Sequence, residues 1–148
     1  MRRRVLYCFL LSGLCAGLLD LGAAYLIYLS EGGHSLAAVC RYIAAGLVGL
    51  PAATAGGRGI ALLGFACHMG IAYWWVGLYF VFSPRKVPPL LSAALYGPLV
   101  WAAMTFIVLP LSKLPPRTHT LSDAALNAGV LIITIGLPSA LGARRALR

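Results

Sequence analysis

Acidic residues are almost missing from this chain. Its 148 residues include only three Asp or Glu, against twelve Lys or Arg. Charge of either sign is scarce, at 10% of residues, where a soluble domain carries about 25%. That scarcity excludes an ordinary solvated surface. The chain is 61% hydrophobic and its mean hydropathy is +0.89. A soluble fold of this length could not hide so much apolar surface, so the solvent is lipid.

Other absences narrow the function. The four cysteines, Cys8, Cys15, Cys40 and Cys67, form no CxxC pair, which excludes a zinc ribbon or a dithiol redox motif. In lipid they read as small apolar fillers. Cys67, His68 and Met69 are soft-metal ligand types, but neighbours on a helix point about 100° apart and do not close on one ion. There is no GxSxG, no HExxH and no pair of carboxylates. An intramembrane aspartyl protease needs two deep acids, and only Asp20 lies deep. The chain therefore reads as a non-enzyme, with no metal and no cofactor. The net charge of +9 does not indicate nucleic acid. The Lys and Arg flank apolar runs, as membrane flanks do, and no basic face carries interleaved aromatics.

What is present is a series of apolar runs. They cover residues 5–29, 36–55, 60–82, 90–111 and 121–141. Turn-rich stretches separate them: SEGGHS, AGGRG, SPRKVPP and SKLPPRTHT. No internal repeat is evident. The start, MRRRVLYCFLLSGLCAG, imitates a secretory signal. The apolar run resumes after Asp20 as LGAAYLIYL, so the first helix is long enough to span and is read as retained.

The second run is short. It carries Arg41, and Pro51 ends its regular part. As a helix, residues 36–50 reach about 22 Å, against a hydrocarbon core of about 30 Å. Charge counting favours a segment that dips in and returns. Arg2, Arg3, Arg4, Arg85, Lys86, Arg144, Arg145 and Arg148 then share one side, leaving Arg58, Lys113 and Arg117 on the other. The expected architecture is an all-α integral membrane domain over residues 1–148. It has four transmembrane helices and one re-entrant or half-spanning segment. Both termini are expected in the cytoplasm, in a multi-pass protein of the inner (plasma) membrane.

This topology assigns a depth to each polar residue. Asp20 lies about 13 Å from the outer end of the first helix, and His68 about 12 Å into the third run. Arg41, Thr105 and Asn127 lie about 7–9 Å from outer ends. These five residues form the candidate intramembrane polar site. Gly13 and Gly17 make a GxxxG pair and share a stripe with Asp20. Gly64, one turn before His68, is a second packing position. Asp123, Asn127 and Thr134 share a face of the last helix. A lone intramembrane charge costs about 2.5–3.5 kcal/mol on insertion scales, so Asp20 is expected to pair with Arg41, with His68 nearby. Asp20 and His68 each admit two readings, a proton or ion site or a helix staple. Asp123 is expected to cap its helix.

The stretches LGFACHMGIAYWWVGLYF and ALYGPLVWAAMTFIVLPL, followed by LPP, are similar to the YagU-like bacterial inner-membrane proteins. The shared features are a mid-helix His (His68), a Gly-containing helix ending in Ile107 to Pro110, and the Pro115–Pro116 loop. The resemblance implies a small polytopic inner-membrane protein of undefined biochemistry and transfers no catalytic residue. The expected function is an outer-facing polar cavity that binds or conducts a proton, small ion or small polar solute. The alternative is a structural or assembly protein in which the polar cluster only staples helices. Partners expected are the lipid bilayer and either further copies of the chain or another membrane protein.

Overall fold

The computed structural model describes residues 2–83, 86–116 and 120–146. Arg85, Arg117 and Arg148, which entered the charge count, lie outside them. The described chain is helical and contains no strand. Four helices are long and apolar enough to cross a membrane: α1 (Arg2–Ser30), α4 (Arg58–Phe82), α5 (Pro89–Leu111) and α6 (Leu121–Ala146). Between α1 and α4 lie the shorter α2 (Leu36–Val48) and α3 (Leu50–Ala55).

α1 and α4 pack antiparallel. Phe9 meets Phe80, with ring centroids 5.8 Å apart. Gly13 lies against Tyr73, and Gly17 against Met69 and Ala72. Asp20 faces His68. Numbers rise along one helix as they fall along the other. The end of α1 and the start of α4 therefore lie at the same end of the bundle. The α2–α3 segment leaves and returns at that end, as the charge count anticipates. Gly49 makes the bend between α2 and α3. Its φ of +89° is a conformation that a side chain disfavours. Its N–H closes α2 on the Ala45 carbonyl, and Pro51 sits in the first turn of α3.

Small residues form the interior, and large ones face out. The central buried cluster is Ala16, Ala72, Val76, Val100 and Ile135. Leu62, Val81, Phe82, Leu95 and Phe106 are each more than half exposed. This inverts the soluble pattern and suits helices that meet by close approach in lipid. Gly64 lets α4 press on the backbone of Cys40 in α2. Gly97 presses on Ile132, and Gly136 on Ala93, across α5 and α6. The backbone N–H of Lys113 donates to the Gly46 carbonyl at 2.8 Å, tying the end of α5 to α2.

α5 and α6 share a local irregularity. Each contains a π-helical turn, Met104–Val108 in α5 and Ile132–Gly136 in α6. Each turn ends two residues before a proline, Pro110 or Pro138. Proline has no N–H to give the carbonyl four residues back, here Phe106 or Thr134. The ladder slips by one residue instead. Leu109 N–H reaches the Met104 carbonyl, and Leu137 N–H reaches that of Ile132. The sequences around the two turns correspond, Ile107-Val-Leu-Pro110 and Ile135-Gly-Leu-Pro138. At its other end, α6 begins with a capping box. Thr120 is the N-cap, and Asp123 is its reciprocal partner. Asp123 N–H donates to Thr120 Oγ1 at 3.2 Å, and Thr120 N–H to Asp123 Oδ2 at 3.1 Å.

Candidate functional site

Three helices converge on one carboxylate. Asp20 lies ten residues before the end of α1, about 15 Å along the axis. Thr134, in the π turn of α6, donates from Oγ1 to Asp20 Oδ1 at 2.9 Å. His68 of α4 brings Nε2 to 3.8 Å from Asp20 Oδ2. The same Nε2 lies 3.0 Å from the Gly17 carbonyl. A carbonyl can only accept, so Nε2 carries a hydrogen and donates.

Each member is placed by a local feature of its helix. Gly17 allows α1 and α4 to close, since a Cβ there would strike the Met69 side chain at 2.6 Å. Its unshielded carbonyl then meets the His68 ring. Thr134 is buried at 5% exposure. The site is enclosed but not sealed: the side chain of His68 is 12% exposed and that of Asp20 is 24%. The cluster sets an imidazole beside one carboxylate oxygen at 3.8 Å, beyond hydrogen-bond length, while a hydroxyl holds the other oxygen.

The five sequence-derived residues divide. Asp20 and His68 come together. Arg41 does not join them; it is half-buried on α2, and no carboxylate lies within ion-pair distance of it among the described residues. The buried face of α2 is set by Val39 and Cys40, which pack on Leu21. Arg41 is turned from that face. The partner expected for Asp20 is thus replaced by Thr134 and His68. Thr105 sits in the π turn of α5, half-buried, and makes no side-chain hydrogen bond among the described residues. Asn127 turns back on its own helix, donating to the Asp123 carbonyl at 2.7 Å.

Periodicity set Thr134 on a face with Asp123 and Asn127 but did not join it to Asp20, which the structure does. It lies within the π turn of α6, where the helix departs from a regular 3.6-residue repeat. The available signal was Pro138, four residues on. Among the described residues, no three His, Cys, Asp or Glu side chains converge as a metal site would require. A search of family models, curated proteins and solved structures finds no match to this chain.

Proposed function

We propose that this is a small multi-pass membrane protein that binds a proton at the Asp20–His68 pair, as part of conducting protons or a small ion. One observation carries the reading. A carboxylate and an imidazole lie 3.8 Å apart inside two spanning helices, and among the described residues no Lys or Arg lies within ion-pair distance of the carboxylate. An ionisable group in such a position is costly, and its usual reason is a proton or ion path. An imidazole beside a carboxylate is a pairing that proton paths use. The basic end of the bundle carries the start of α1 and the end of α6, and we place it in the cytoplasm by the positive-inside bias.

Proton flux driven by a pH gradient in proteoliposomes tests the reading, with fusions of alkaline phosphatase to report orientation. Wild type is expected to conduct. Asp20→Asn and His68→Ala are expected to lose flux while remaining folded. The staple reading predicts the opposite pattern: no flux in wild type, and both variants reduced in thermal stability. It draws on the same bonds, since Thr134 and Gly17 link three helices through this pair. A phosphatase fusion at the C-terminus is expected to be inactive, and activity there would reverse the orientation.

A further inference from the structure

A second feature lies away from the Asp20–His68 pair and does not depend on it. At the basic end, α4 and α5 diverge around a cavity of about 470 Å³. Its apolar wall is Trp75, Leu78, Phe82, Val87, Leu95 and Leu99. It runs along Trp75–Phe82 of α4 and Ser92–Leu99 of α5, about 10 Å of each helix.

Four polar groups also border the cavity, and all are turned inward to protein. Tyr79 Oη is bonded to Ser92 Oγ. Tyr96 Oη donates to the Trp75 carbonyl at 2.6 Å. Trp75 Nε1–H donates to Met104 Sδ at 3.4 Å. Each of these groups therefore already has a protein partner, and a hydrocarbon occupant leaves none of them without one. A chain of methylenes lying along the two helices is the occupant that suits this lining.

A charge lies one residue from the lining. Lys86 adjoins Val87 in the α4–α5 loop, is exposed, and has no ion-pair partner among the described residues. Arg2, Arg3, Arg4, Arg144 and Arg145 are exposed at the same end. No acidic residue accompanies them among the described residues of that end. The spans place the cavity within reach of bilayer lipid. We propose that it seats one acyl chain of an anionic phospholipid, with the phosphate at Lys86.

Tryptophan quenching tests this directly. With Trp74→Phe and Trp101→Phe, Trp75 is the only indole. Phosphatidylglycerol or phosphatidylcholine with brominated chains is titrated into the detergent-solubilised full chain. Quenching is expected to saturate, with phosphatidylglycerol acting at about fivefold lower mole fraction, the worth of one lysine beside an anionic lipid. Lys86→Gln is expected to abolish that preference, and Arg3→Gln to leave it. Equal midpoints for the two lipids would overturn the proposal, as would equal loss of preference in both variants, which marks a diffuse field. Absence of quenching by either lipid would overturn it in favour of a second copy of the chain covering the groove.

Discussion

At the residue scale, the argument rests on what each atom can donate. Gly17 fixes the hydrogen on His68 Nε2. Thr134 supplies the one hydroxyl that holds Asp20 from a third helix. Replacing Thr134 with Val keeps the branched shape and removes the donor. A hydrogen bond to a charged acceptor contributes about 1.5–3 kcal/mol, so Thr134→Val should lower unfolding stability in detergent by roughly that amount. Thr134→Ser, which keeps the hydroxyl, should lose well under half of it. Equal losses would mean that packing, and not the hydrogen bond, holds Thr134 in place. Asp20 and His68 were legible in the sequence because an ionisable residue in an apolar run has few innocent explanations. The Asp20–Arg41 pairing was not legible correctly. Depth alone made it reasonable, and the direction of the α2 face, which depth does not specify, decided against it.

At the element scale, glycines set how close helices come. Gly64 has the backbone of Cys40 where a Cβ would go, and backbone cannot swing aside as a side chain can. Gly70, on the same helix, has nothing within 4 Å of that position. Gly64→Ala should therefore cost about 1–3 kcal/mol through overpacking. Gly70→Ala should be neutral or stabilising by up to about 1 kcal/mol, since alanine is the better helix former. Thermal melts of the two variants side by side would check this, and an equal response would remove the close α2–α4 contact from the account. Apolar run lengths made the spanning helices readable, and turn-rich punctuation gave their limits to within a few residues, except at the C-terminal end of α6. The π turns were not readable from hydropathy, because an apolar run looks the same in α and π geometry. A proline follows each of them, but Pro98 lies within α5 where the helix stays regular, so a proline in the run does not by itself announce a π turn.

At the scale of the whole molecule, charge is sorted along the bundle axis. One end carries Arg2, Arg3, Arg4, Lys86, Arg144 and Arg145; the other carries Glu31, Arg58, Lys113 and Asp123. The charge count already implied this sorting, and the antiparallel packing of α1 on α4 accounts for it by returning α2–α3 to the end it left. The bundle thus presents a polar cluster within its spans and an apolar cavity near its basic end. The central claim is that Asp20 exchanges a proton beside His68. The scarcity of acids makes that claim directly measurable, since Asp20, Glu31 and Asp123 are the three carboxyl side chains in the chain. Infrared difference spectra on acidification should show a protonated-carboxyl band that Asp20→Asn lacks and that Glu31→Gln and Asp123→Asn retain. A spectrum left unchanged by Asp20→Asn, in a folded protein, would contradict the claim and leave Asp20 as a fixed strut between helices.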